Sequence, residues 1–276
     1  MILLLLEAMV TASLAGALCG SLGVYLKRMN LLTISFTIAH AALAGAALSI
    51  LLKTDPEVTA FIFGIFIAAM VEISHNKLGI DRELISMGFF SFSSAIAMFA
   101  IYLTPSVTLT SETASLVLWG SVLAATVRKI ILLTFLIIAL LIYVFAFKIE
   151  INTILFDKKL AEAEGVNVTL HATILIIITA LSISLILKLT GAFLVFSLLF
   201  NPSMSAIKLT YKRQPLIGAI IGGTSGAVGV LLSFALDTPI GATISIVSSV
   251  LLMLSVFIAV VMELHAKRKI IPSKYL

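Results

Sequence analysis

Residues 154–168, ILFDKKLAEAEGVNV, form a long polar segment between two strongly apolar runs in the second half of the chain. Asp157 is a good helix N-cap, and Gly165 is a residue type that commonly ends a helix at the position after its C-cap. The segment therefore predicts a short helix over about 157–165 that lies outside the bilayer.

The same segment carries an apolar stripe. Phe156, Leu160 and Ala163 are spaced at i, i+4 and i+7, which places them on one face of a helix. A capped helix with such a face in an aqueous loop indicates docking on another protein. The alternative is a solvated connector that lies on the lipid headgroups.

The composition on both sides of this segment is that of a membrane protein. Hydrophobic residues make up 61% of the 276 residues and charged residues 11%, and the mean hydropathy is +1.22. These values are far outside the range of soluble domains. No composition break divides the chain, so we expect a single all-α domain, 1–276, that is a polytopic helix bundle in the plasma (inner) membrane.

Nine apolar runs have the length of membrane spans, which need roughly 17 to 25 residues. Only one of them is uncertain, because Asn201 and Pro202 interrupt it, so a count of eight is the alternative. The predicted spans are 2–26, 31–52, 58–75, 83–103, 129–148, 170–187, 189–207, 215–236 and 240–263.

The basic residues predict the orientation. With the N-terminus outside and the C-terminus in the cytoplasm, four of the 18 Lys and Arg residues are external, as the positive-inside rule requires. These four are Lys53, Arg128, Lys129 and Lys188. Charge thus encodes orientation, and no nucleic-acid partner is expected. The region 106–127, with Trp119, is placed outside as an interfacial or re-entrant piece; a tenth span there is the alternative.

His40 is the only ionisable residue predicted near the middle of a span. It lies about nine residues into span 31–52, roughly 14 Å deep at 1.5 Å per residue. Thr33, Thr37, Ala44 and Ala47 complete a small, partly polar stripe on its helix. A polar group at this depth indicates a substrate path, with His40 as a metal ligand and Thr37 holding its second ring nitrogen. The alternative is a hydrogen-bonded packing residue.

Other residues have simpler predicted roles. The acidic residues at the outer boundary are expected to attract cations to the path, and they are Asp55, Glu57, Glu112 and Asp237. The small residues of two spans are expected to be packing ridges, and they are Gly16 and Gly20, and Gly218, Gly222 and Gly226. No Gly-Lys pair occurs, so the chain has no phosphate loop and binds no cofactor itself.

From about residue 14 to 260 the chain resembles the permease subunits of ATP-binding-cassette importers for zinc, manganese and related metals. Five segments in the family's order carry the resemblance: AHAALAGAAL (39–48), LVLWGSVLA (116–124), FDKKLAEAEGV (156–166), TGAFLVFSLLFNPSMSA (190–206) and LDTPIGATI (236–244). The resemblance identifies the loop helix as the coupling helix that docks on the ATP-binding subunit.

The resemblance also implies partners and a substrate. It implies a homodimer of this chain, two ATP-binding subunits that hydrolyse ATP and an extracytoplasmic solute-binding protein. The family commonly has an aspartate four residues before the histidine, where this chain has Phe36. An ion-coupled secondary transporter and a non-transporting scaffold are the other candidate functions; the former needs a deep titratable cluster, which one histidine does not provide.

Overall fold

The computed structural model describes residues 2–103 and 126–270, and it describes the side chains of 3–103, 126–187 and 194–265. The described residues form ten helices. These are α1 (Ile2–Arg28), α2 (Leu32–Leu52), α3 (Pro56–Leu78), α4 (Arg82–Tyr102), α5 (Val127–Ala146), α6 (Lys148–Phe156), α7 (Lys158–Ala163), α8 (Val168–Leu209), α9 (Gln214–Leu236) and α10 (Ile240–Ile270).

Local sequence sets the ends of these helices. Asp55 caps α3 by accepting from the backbone N–H groups of Glu57 and Val58, and Pro56 occupies the first helical position. Asp81 caps α4 in the same way. Gly79 ends α3 with a φ of +64°, in the left-handed region that favours glycine.

Eight apolar helices among the described residues are long enough to cross a membrane. This confirms an all-α polytopic bundle, and eight is the count that the sequence left as the alternative to nine. The predicted spans 170–187 and 189–207 belong to one helical element, α8, whose arms differ in length: Val168–Leu187 is membrane-length, whereas Leu194–Leu209 is shorter.

The two ends of α8 lie at the same end of the bundle. His171, near its start, contacts Tyr143 at the end of α5. Tyr211, just past its other end, lines a cavity together with Phe156 at the end of α6. A straight helix of 42 residues would be about 63 Å long, so the chain must reverse between the two arms. The direction of each arm is therefore the one predicted for two spans.

Loops that were predicted to share a membrane side do come together. At the predicted inner end, Arg82 forms an ion pair with Glu72 at 2.9 Å, and Arg28 donates to Gln214 at 3.0 Å. At the opposite end, Lys129 lies 3.7 Å from Glu57. The relative sidedness of the helix ends is as expected, and the assignment of the inner end to the cytoplasm remains a prediction from charge.

The glycines of α1 and α9 pack backbone against backbone. A Cβ added at Gly16 would collide with the carbonyl of Gly222, and a Cβ added at Gly20 with that of Gly218. This close approach confirms the predicted packing ridges. Asn201 has a packing role as well, because its Nδ2 donates to Ser248 and Ser249 of α10, at 3.0 Å each.

Candidate functional site

His40 lies on a partly open face of α2. Thr33, Phe36 and His40 are half-buried, whereas Thr37 and Ala44 are fully buried. The open face therefore follows the spacing 33, 36 and 40. It differs from the predicted stripe, in which only Thr33 among the neighbours of His40 is partly exposed. The sequence period did not identify which neighbours share the open face with His40, because a moderate rotation of the helix changes which residues face outward.

The second ring nitrogen of His40 is held by Ser94 and not by Thr37. Ser94 Oγ lies 2.9 Å from His40 Nδ1, and Thr37 donates instead to the backbone carbonyl of Ser86 at 2.7 Å. The prediction that Thr37 holds the second ring nitrogen of His40 is therefore wrong. Ser94 comes from α4, 54 residues away, and its serine-rich surroundings gave no spacing signal that could have singled it out.

The hydrogen bonds around Ser94 favour one tautomer of His40. When the Ser94 hydroxyl donates its single proton to the carbonyl of Phe90, 2.8 Å away, it accepts from the imidazole Nδ1–H. The lone pair of the neutral ring is then on Nε2, which has no hydrogen-bond partner within the described part of the chain. A neutral imidazole held in this way through its other nitrogen is the usual arrangement of a metal-ligating histidine.

Aromatic rings surround the imidazole. The ring centroid of His40 lies 4.3 Å from that of Phe90 and 5.3 Å from that of Phe196, and Phe36 packs on Phe196 at 4.8 Å. We call these three phenylalanines together with His40 and Ser94 the His40 cluster. Phe36, at the position where the resemblance implies an aspartate, adds apolar surface and no anionic ligand.

The described residues hold no group of three or more His, Cys, Asp or Glu side chains that could bind a metal ion. A single protomer therefore offers an entering cation one imidazole nitrogen and nearby hydroxyls, so a complete coordination shell needs ligands from elsewhere. This arrangement suits transient passage better than storage, because a transport path must also release its substrate.

The outer acidic residues have local partners. Asp55 is occupied as the cap of α3, and Glu57 lies next to Lys129, which offsets its charge. Asp237 is exposed and is the C-cap of α9, with a φ of +52°. Glu112 lies outside the described residues. Their role in attracting cations stays a prediction, and the structure adds a capping role for two of them.

The loop segment folds largely as the sequence indicated. Asp157 caps α7 by accepting from the N–H of Leu160 at 2.9 Å, and Gly165 has a φ of +84°. Leu160 is 44% exposed and Ala163 is also exposed. Two apolar residues on an unoccupied face are consistent with docking on another protein.

One part of that prediction is wrong. Phe156 belongs to α6, because the backbone at Asp157 is extended and separates α6 from α7. Phe156 and Leu160 therefore do not form a stripe on a single helix. Phe156 is 83% exposed and lines a cavity between α1, α5, α6 and α9, whereas Ala161, on the opposite side of α7, is fully buried.

The fold and the site define a multi-pass membrane transport protein of the plasma membrane, with a histidine on a half-open helix face and an exposed apolar loop helix at one end. The model of the ABC 3 transport family matches residues 1–259, and the chain belongs to this family. It is a transport permease subunit, as the sequence predicted, and the secondary-transporter and scaffold alternatives are not favoured.

Named relatives cover almost the whole chain. The high-affinity zinc uptake system membrane protein ZnuB of Haemophilus influenzae is 28% identical over 258 residues, which are 92% of this chain and 97% of that protein. The manganese import system permease protein ScaB of Streptococcus gordonii is 25% identical over 268 residues, 96% of this chain and 94% of that protein.

A solved structure confirms the fold. PsaBC from Streptococcus pneumoniae in complex with Fab matches with a TM-score of 0.78 at 22% sequence identity, over 91% of this chain and 90% of that chain. An inward-facing conformation of a putative metal-chelate type ABC transporter matches with a TM-score of 0.76 at 18% identity, over 91% and 85%.

Proposed function

We propose that this chain is the membrane permease of an importer that moves a divalent metal ion such as zinc or manganese inward. ATP hydrolysed by separate ATP-binding subunits drives the transport. The observation that carries the proposal is the Nε2 lone pair of His40, oriented by Ser94 on a half-open helix face inside the bundle. The printed names of the relatives, which are zinc and manganese systems, support the same substrate class.

We further propose that the functional unit is a homodimer of this chain. A half-open imidazole at this depth would be costly against lipid, so the face of α2 that carries it is expected to meet protein or a wet path. A second protomer across the His40 cluster would bring a second imidazole toward the same path. Two histidines would partly replace the carboxylate that Phe36 does not provide.

The remaining partners follow from the permease family and from the loop helix. In each protomer one ATP-binding subunit docks on the exposed face of α7, which gives two in the homodimer. Leu160, Ala163 and the ends at Asp157 and Gly165 form the coupling segment. Phe156 is adjacent at the end of α6 and extends the exposed apolar surface. An extracytoplasmic solute-binding protein delivers the ion to the opposite end of the bundle.

Uptake in reconstituted vesicles tests this proposal. The permease and its co-expressed ATP-binding subunits are placed in proteoliposomes, and the internal accumulation of radiolabelled zinc or manganese is measured with and without ATP. We expect accumulation that requires ATP and is insensitive to proton and sodium ionophores. Accumulation that collapses with an ionophore but persists without ATP would favour a secondary transporter instead.

A further inference from the structure

A cavity of about 920 Å³ opens at the predicted inner end of the bundle, between α1, α5, α6 and α9. It is separate from the His40 cluster, which lies on α2, α4 and α8, and no residue of that cluster lines it. Exposed apolar side chains of α5 and α9, such as Phe145 and Leu216, stand beside it. This places the cavity where the protein is expected to meet both the bilayer and the cytoplasm. Apart from Phe156 at its edge, its lining residues have no role in the metal transport proposed above.

The mouth of this cavity is basic. Arg28, Lys148 and Arg213 line it, and no aspartate or glutamate stands among its described lining residues. Arg28 donates through Nε to Gln214 Oε1 at 3.0 Å, which fixes the guanidinium at the mouth and leaves its terminal N–H groups for another acceptor. Three cations with no acidic side chain among the lining residues attract an anion.

The interior of the cavity is mostly apolar and lies at hydrocarbon depth. Ser21, Leu141 and Ala219 line it, and they lie five to seven residues inside the ends of α1, α5 and α9. This corresponds to about 8 to 10 Å along each helix axis. Val144 and Leu216 add apolar walls between these residues and the mouth. A soluble anion bound at the mouth would leave this depth unfilled, whereas an acyl chain would fill it.

We infer that the cavity binds an anionic phospholipid of the inner leaflet. Its phosphate is held by Arg28, Lys148 and Arg213, and the upper part of its acyl chains lies between α1, α5 and α9. Basic pockets between membrane helices at the cytoplasmic side commonly bind anionic headgroups. Because α6 forms one wall of the cavity and leads directly into α7, the bound lipid also packs against α6 and stabilises the segment that is proposed to couple transport to ATP hydrolysis.

Native mass spectrometry of the purified permease tests the inference. The protein is exposed to equal amounts of phosphatidylglycerol and phosphatidylcholine, and the lipid retained per protomer is counted. We expect the parent to retain phosphatidylglycerol preferentially and the double variant Lys148→Gln/Arg213→Gln to bind it roughly tenfold more weakly, because each basic group contributes to headgroup attraction. The matched control Lys27→Gln/Lys77→Gln removes two exposed basic residues of the same end that do not line the cavity, and it should bind as the parent does.

A second pair of variants separates a lipid from a free anion. Ala219→Trp fills the apolar interior without changing charge, and we expect it to lose phosphatidylglycerol. Ala235→Trp, at an exposed position near the other end of α9, is its control. A third measurement uses the parent protein and therefore does not depend on whether a variant folds. Phosphatidylglycerol should raise its melting temperature, whereas phosphatidylcholine and inorganic phosphate should not.

Several results would overturn the inference. Equal retention of the two lipids by the parent, equal binding by Lys148→Gln/Arg213→Gln and its control, or stabilisation by inorganic phosphate alone would each exclude an anionic lipid site. If the double variant kept phosphatidylglycerol but no longer co-purified with the ATP-binding subunits, the cavity would be a protein-docking surface instead. None of these results depends on whether the permease carries a metal.

Discussion

At the scale of single residues, His40 shows how a hydrogen-bond network turns a common side chain into a potential ligand. The imidazole alone could be a packing residue, since it stacks on Phe90 and Phe196. What distinguishes it is the direction of the bond from Nδ1 to Ser94, which follows from the bond that Ser94 already makes to a carbonyl. The lone pair at Nε2 is a consequence of that arrangement.

We predict that His40→Ala abolishes ATP-dependent uptake of zinc or manganese and leaves the protein folded, because it removes the imidazole nitrogen that we propose as the ligand of the ion. His40→Gln should keep the fold and lose metal selectivity. Uptake by proteoliposomes and the melting temperature of the purified protein are the two measurements. His265→Ala, at an exposed position near the end of α10, is the control; parent-level uptake by His40→Ala would make His40 a packing residue.

Ser94→Ala is expected to act through His40. Without the hydroxyl, the imidazole can rotate and change tautomer, and loss of such an orienting partner typically lowers metal affinity about 10-fold to 100-fold. We expect the KM for metal uptake to rise by about this factor, while the maximal rate changes less. Ser91→Ala, at an exposed position of the same helix, serves as the comparison, and an unchanged KM in Ser94→Ala would contradict the positioning role.

At the scale of elements, α7 and the α1–α9 pair show two different uses of small or apolar residues. In α7 the fully buried Ala161 holds the helix against the bundle, and Leu160 remains exposed. In α1 and α9 the glycines remove side chains so that two backbones touch. The exposed residue of α7 leaves a surface for a partner protein. The glycines of α1 and α9 instead bury their helix surfaces against each other within the chain.

The exposed face of α7 predicts the effect of Leu160→Asp. If that face is covered by an ATP-binding subunit, the new carboxylate would be buried without a partner at a cost of several kcal/mol. We expect the variant to fold in membranes and to lose co-purification of the ATP-binding subunits and ATP-driven uptake. Leu78→Asp makes the same change at an exposed residue at the end of α3; retention of the subunits by Leu160→Asp would remove the docking role of α7.

The close packing of α1 and α9 predicts a large difference between neighbouring glycines. In Gly222→Ala the new methyl group would collide with the backbone carbonyl of Gly16, and such overpacking typically costs about 1–3 kcal/mol. In Gly223→Ala the nearest atom, the Ser13 carbonyl oxygen, is 3.4 Å away. Thermal unfolding in detergent should show a lower melting temperature for Gly222→Ala alone, and equal melting temperatures would argue against the contact.

At the scale of the whole molecule, relative sidedness and absolute orientation have different sources. The contacts Arg28–Gln214 and Lys129–Glu57 show which helix ends lie together. Which of the two ends faces the cytoplasm follows from the excess of Lys and Arg at one of them. Geometry cannot supply this second assignment, because a bundle has the same internal contacts in either orientation.

Thiol labelling in intact cells measures the orientation. The only cysteine of the sequence, Cys19, is fully buried, so the parent should react little with a membrane-impermeant maleimide. Leu103→Cys, at the predicted outer end, should be labelled from outside, whereas Asn76→Cys, at the predicted inner end, should be labelled only after the membrane is opened. The reverse pattern would place the N-terminus in the cytoplasm.

The sequence by itself determined the features that depend on local composition and spacing. Membrane class, the helix content, the capped segment from Asp157 to Gly165 and the glycine ridges all follow from hydropathy, capping and small-residue patterns within a few turns. The family resemblance rested on the order of five such segments and was confirmed. His40 was singled out because an ionisable group inside a span is costly wherever its neighbours lie.

Only the tertiary structure decided which residues meet. Helix rotation and contacts between distant segments make Ser94, and not Thr37, the partner of His40. The break that moves Phe156 out of α7 likewise became visible only in the structure. The cavity beside Arg28 brings α1, α5, α6 and α9 together in the same way. The physical reason is that hydropathy fixes how deep a residue lies in the membrane, whereas packing fixes the direction it faces.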